Sequence, residues 1–174
     1  QLIQEAMAKG FRILIPFVPN HASPQNHWLQ EKTHLFKKLD PPGEVPSEKT
    51  VTVAVKGQPV TFWRGNVYHS WAPQGEIRGG FGSGTVQFDL CDPAKRKELV
   101  ALWTAVLNSW VQRGIDGFYA DTGHSLNRIA PGWLEQIQRG VRANHPGTVF
   151  GAEAHWQQAG GFIRRGASFA QEHA

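Results

Sequence analysis

Three features of this sequence predict an α/β fold built on parallel strands. Three short apolar runs end in polar residues: Phe11–Val18 before Asn20-His21, Ile115–Ala120 before Asp121, and Thr148–Ala152 before Glu153. Segments of helical periodicity lie between them. The order strand, insertion, helix, strand, helix, strand demands crossover connections, and crossovers make the strands parallel. In such sheets chemistry collects at the C-terminal ends of the strands, which is where these polar residues fall.

The elements follow in order. Gln1–Lys9 carries Leu2, Ile3, Ala6 and Met7 as a helical stripe that stops at Gly10. The first strand, Phe11–Val18, contains Pro16, which cannot donate to a ladder and marks an edge, a bulge or a strand end. Residues 22–88 form a long excursion. It holds Pro41-Pro42-Gly43, an alternating strand Thr50–Val55, a turn over Lys56–Pro59 and a returning strand Val60–Trp63. The glycines of Gly79–Gly84 have no phosphate-binding frame, because Thr85–Leu90 reads as a strand and not as a helix opening. Over 93–112 a helix is predicted, with Asp92 as N-cap and Pro93 at its first position. Leu99, Leu102, Trp103, Val106, Leu107 and Trp110 give it one broad apolar face. Gly114 suits the left-handed residue that follows a helix. A second helix, Gly132–Ala143, buries Trp133, Leu134, Ile137 and Val141 and ends before His145-Pro146-Gly147. Gln157–Ala174, rich in Gly and Ala, reads as the start of a further helix.

Composition narrows the function classes. A chain of 174 residues can bury one substantial core, and 18% charged with 40% hydrophobic residues are globular values. The formal charge of +4 is modest, and its densest cluster, Lys95-Arg96-Lys97, reads as solvated charge on a helix start. No basic face interleaved with aromatics exists, so nucleic acid is not an expected partner. No apolar run approaches the ~20 residues of a membrane span. Cys91 stands alone, and the His residues form no HExxH, so neither a disulfide nor a zinc site is expected. Nothing in the sequence assigns a compartment.

Four motifs in order carry a family resemblance: Phe17-Val-Pro-Asn-His21, Asp89-Leu90, Asp116-Gly-Phe-Tyr-Ala-Asp121, and Glu153 at its strand end. Together they resemble the signatures of the α-amylase family of (β/α)8-barrel glycoside hydrolases, over roughly Ala8 to Trp156. The resemblance implies that 1–21 and 89–174 are part of a catalytic (β/α)8 TIM barrel, about three of its strands. Residues 22–88 would be a small β-containing subdomain inserted after a barrel strand. A whole barrel takes about 250 residues, so the chain reads as a fragment whose partner is the rest of its own barrel.

Acetal hydrolysis needs a proton for the leaving oxygen and an anion for the oxocarbenium-like carbon, and two carboxylates supply both. By resemblance Asp121 is the nucleophile and Glu153 the general acid/base of a retaining mechanism. His21 would bind a sugar hydroxyl, with Tyr119, His124 and Trp156 completing the substrate-binding group. The expected substrate is an α-linked glucan or small α-glucoside, hydrolysed or transglycosylated without a required cofactor. Asn20 and Asp89 match calcium-binding positions of many amylases, and a structural Ca2+ stands there beside the alternative of a hydrogen-bonded hinge. His27-Trp28 resembles a segment after the first signature. Trp28, Trp63, Trp71 and Trp156 fall in loops or the insertion, where rings can stack on sugars or simply pack. Three positions depart from the family: Pro16 where it carries Asp, Tyr119 where it carries Arg, and Ser125 where it carries His. They keep two rivals open, a non-catalytic amylase-like carbohydrate-binding or assembly module and a barrel hydrolase of another carboxylate-pair type.

Overall fold

The computed structural model describes residues 2–39, 49–65, 84–121, 123, 126, 129–155, 160–161, 163–164 and 166–173. In chain order the elements are α1 (Leu2–Ala8), β1 (Leu14–Phe17), β2 (His21–Ala22), α2 (Trp28–Glu31), a 3-10 turn (Thr33–Leu35), β3 (Thr50–Val55), β4 (Gln58–Trp63), β5 (Val86–Gln87), α3 (Pro93–Val111), β6 (Gly117–Ala120), α4 (Trp133–Asn144), β7 (Val149–His155) and β8 (Phe169–His173). The chain divides into two units, Gln1–Val18 with Lys97–Ala174, and Pro19–Arg96.

In the first unit β1, β6, β7 and β8 lie side by side in that order, all parallel. Side chains alternate across a sheet, so the register sorts them into two faces. One face carries Phe17, Phe118, Ala120, Phe150 and Ala152, all buried. Phe17 meets Trp103 of α3 at 5.5 Å, and Arg142 of α4 lies over the Phe150 ring at 5.3 Å. Both helices therefore cover this face. The other face carries Pro16, Tyr119, Gly151 and Phe169 in one row.

Pro16 sits within β1 without breaking its pairing. The carbonyls of Ile13 and Phe17 accept the N–H groups of Asp116 and Asp121 at 2.9 and 3.0 Å. Odd-numbered residues of β1 thus face β6, and residue 16 directs its missing donor to the opposite side, where proline is tolerated.

Asp92 caps α3 as the sequence predicts. Its Oδ1 accepts the N–H of Ala94 at 2.8 Å and of Lys95 at 3.4 Å. The Ala94 bond, opposed by desolvation and reinforced by Lys95, holds the Asp92 carboxyl below the usual aspartate range. A depressed folded value means the cap stabilises above the unfolded value and fails as pH falls through the folded one. Asp92→Ala should lower the melting temperature by about 2–4 °C at neutral pH. Melting curves taken downward in pH should show that gap closing below the ordinary aspartate value.

The end of the chain differs from expectation. Gly160, Gly161, Ile163 and Arg164 are helical, but the stretch then enters β8, giving four strands in place of three. Ala170-Gln-Glu has weak strand propensity, and pairing with β7 from Gly151↔Phe169 onward overrides it. The stripe of α1 is not buried, and Leu2 is 80% exposed.

In the second unit β3 and β4 form an antiparallel hairpin. Lys56 and Gly57 both take positive φ, 49° and 80°, the two-residue turn that matches strand twist. The turn is therefore shorter than the predicted Lys56–Pro59. Pro59 joins β4 opposite Ala54, next to the closing pair Val55↔Gln58, at a position where its nitrogen points away from β3. The predicted strand Thr85–Leu90 shrinks to β5, which pairs with β2, plus a bridge from Phe88 to Phe36. Phe36 and Phe88 stack at 4.7 Å, and Trp28 packs against Phe88 at 6.2 Å. Trp28 is buried in α2 within the predicted insertion, where its ring packs into the core. Trp71 lies outside the described residues. Among the described residues no helix is long and apolar enough to cross a membrane.

Candidate active site

Asp121 follows the last residue of β6, half-buried, with its N–H donated to the Phe17 carbonyl at 3.0 Å. Glu153 lies within β7, also half-buried. Ala120 pairs with Ala152, so Asp121 and Glu153 stand one row further along neighbouring strands and on the same face. Adjacent strands are about 4.8 Å apart, close to the ~5–5.5 Å that a retaining carboxylate pair needs. Gly123 keeps the following loop tight on this row. A Cβ there would fall 2.6 Å from the Glu153 carbonyl oxygen and 3.0 Å from the Ala152 Cβ.

Tyr119 points to the face of both carboxylates. Its ring lies nearly parallel to that of Phe169, 9° apart with centroids 6.1 Å apart. Gly151, between them in register, makes this contact possible, since any Cβ at that position would run into the Phe169 ring. Burial first, and then the charges of Glu153 and Asp121, push the Tyr119 phenol up to about 12. It is thus a neutral hydrogen-bond donor across the working pH range, not a cation. A folded value raised above the unfolded one stabilises below about pH 10 and is lost as pH rises toward 12. Absorbance of phenolate near 295 nm, taken as wild type minus Tyr119→Phe, should show a tyrosine ionising about two pH units late. An ordinary midpoint in that difference would mean the phenol does not face the carboxylates.

The other sequence-derived positions divide into two groups. His124 and Trp156 lie outside the described residues. Asn20, His21 and Asp89 come together in the second unit. Asn20 is fully buried, its carbonyl accepts the Phe88 N–H at 3.1 Å, and its Nδ2 lies 3.5 Å from His21 Nδ1. His21 is half-buried on β2 and pairs with Gln87. Asp89 is buried and gives its N–H to the Leu35 carbonyl at 2.8 Å. Its carboxylate receives Lys95 Nζ at 2.7 Å and faces Lys37 Nζ at 3.5 Å. Calcium wants six to eight oxygen ligands, whereas here Lys95 already bonds the Asp89 carboxylate, with Lys37 in ion-pair range. Among the described residues no three His, Cys, Asp or Glu side chains gather to hold a metal. The lysine charge leaves Asp89 little to offer a calcium ion at this position.

Two residues escaped the sequence reading. Phe169 lies in the predicted helix start, and nothing in its local pattern announces a ring over Gly151. Lys95 belongs to the cluster read as solvated charge, yet its ammonium is engaged with Asp89. A cleft of about 470 Å3 lies at the opposite end of the strands by Arg12, Asp116, Asn144 and His145. Asp116 there accepts the Ile13 N–H at 2.7 Å and faces Arg12 at 3.8 Å, a structural tie rather than a reactive pair.

Residues 1–159 match the family described as the α-amylase catalytic domain. The chain belongs to that family. Among curated α-amylase-family relatives it is similar to an α-glucosidase of Culex pipiens, 28% identical over 131 residues, which covers 70% of this chain and 20% of that protein. An α-glucosidase of Apis mellifera is also 28% identical, over 69% of this chain and 21% of its own length. The chain thus spans about a fifth of the curated relatives it matches. In fold it resembles an Anoxybacillus α-amylase, with a TM-score of 0.63 at 16% identity, covering 98% of this chain and 32% of the other. Eubacterium rectale Amy13B gives a TM-score of 0.60 at 19% identity over 98% of this chain and 33% of its own. The four parallel strands are therefore part of an α-amylase-type (β/α)8 barrel.

Proposed function

We propose that this chain carries the nucleophile and the acid/base of a retaining glycosidase acting on α-linked glucosides. The observation that carries the reading is the placement of Asp121 and Glu153, level on neighbouring parallel strands and on one face. Asp121 attacks the anomeric carbon while Glu153 protonates the leaving oxygen. Glu153 then takes a proton from water, which releases the sugar from Asp121. The names α-glucosidase and maltase among the matched relatives support short α-glucosides as the substrate class. His21 is assigned a sugar hydroxyl by the family resemblance alone, and His21→Ala should cost less than loss of either carboxylate.

The test is turnover of the full-length protein on a panel of maltose, soluble starch, and aryl α- and β-glucosides. Release of glucose with the α configuration from α-linked substrates supports the reading, whereas turnover confined to β-glucosides overturns it. The neutral Tyr119 favours one second reading, a carbohydrate-binding module that kept the scaffold without catalysis. Saturable binding of maltose with no turnover on the whole panel would establish that alternative.

A further inference from the structure

A buried carboxylate is costly unless a charge of opposite sign meets it. Asp89 has an 8% exposed side chain, and Lys95 and Lys37, 28% and 30% exposed, meet it from two directions. The backbone explains how. The N–H of Lys37 bonds to the Gln87 carbonyl and that of Asp89 to the Leu35 carbonyl, each at 2.8 Å, so the strand-like segments around 36 and 88 run together. Lys95 comes from the first turn of α3, whose start is held by the Asp92 cap, and its Nζ also lies 3.9 Å from Asp92 Oδ2. Beside the pair opens a cleft of about 310 Å3 lined by His34, Phe36, Lys37, Lys38 and Lys95. Such a basic mouth opposes the approach of a divalent cation.

We propose that the Lys95 ammonium, seconded by Lys37, is a built-in cation that replaces a metal ion at Asp89 and ties the start of α3 to the paired segments around Phe36 and Phe88. Stability at this junction is then independent of calcium. The inference does not depend on catalysis and survives or fails separately from it.

Thermal melting of the full-length protein tests it in two ways. In the first, the wild-type midpoint is compared in EDTA and in millimolar calcium chloride; the expected result is the same midpoint in both. In the second, Lys95→Met should lower the midpoint by roughly 3–6 °C in either medium, because it removes the closer partner of a buried carboxylate and leaves it only Lys37 among the described residues. Lys95→Arg, which keeps the charge, should recover most of the fall. A wild-type midpoint that drops in EDTA, with that drop abolished by Asp89→Asn, would place an ion at Asp89 and overturn the proposal. So would a Lys95→Met variant that melts like the wild type. If that variant does not fold, the metal comparison on the wild type still decides.

Discussion

Asp121→Asn and Glu153→Gln should each lower kcat of the full-length protein on a natural disaccharide by at least about a thousandfold, since each removes half of a two-carboxylate device. Both substitutions keep size and hydrogen-bonding shape, so the fold should survive, and melting curves would check this. The two losses are distinguishable. An aryl glucoside with a strongly acidic leaving group needs little protonation, so Glu153→Gln should lose much less in its first step on that substrate. Asp121→Asn should lose as much as before, because bond formation at the anomeric carbon still lacks its anion. Equal losses on both substrates would mean the roles are assigned wrongly, and wild-type turnover in either variant would exclude that residue altogether.

How far this site was legible in the sequence depends on what each residue rests on. Asp121 and Glu153 were legible because a short apolar run ending in a carboxylate is a local pattern, and the parallel sheet carries it unchanged to a common row. The α3 cap was legible for the same reason: Asp92-Pro93 before an apolar stripe is a contact within one turn. Phe169 was not legible. Its contact with Tyr119 depends on β8 docking beside β7 and on the missing Cβ of Gly151, which are long-range facts with no trace in the residues around 169. Lys95 failed for a related reason. A lysine in a basic run looks like solvated surface until a buried carboxylate six residues earlier is brought onto it by the Phe36–Phe88 pairing. Pro16 was legible as an edge residue, because among the described residues β1 pairs on one side only and the proline nitrogen faces the other.

Tyr119 is where a single substitution should retune the chemistry. The family resemblance puts an arginine at this position, and here a neutral phenol faces Asp121 and Glu153 from the same side of the sheet. Nearby positive charge favours the ionised form of a carboxylate, and a nucleophile must be ionised to react. The acid limb of the kcat/KM profile should therefore sit at higher pH than in relatives that keep the arginine, and Tyr119→Arg should move it down by about one unit. The geometry can receive the change. Phe169 presents a ring face to residue 119, and a planar guanidinium stacks on such a face much as the phenol does. Tyr119→Phe is the control: it keeps the stack and removes the hydroxyl, so it should leave the limb near its wild-type position. A cation supplied from elsewhere would leave the limb unmoved in Tyr119→Arg, and that result would refute the idea that residue 119 sets the charge state of the site. Movement of the limb upward would refute it as well, because an added positive charge beside an essential carboxylate can only favour its anion.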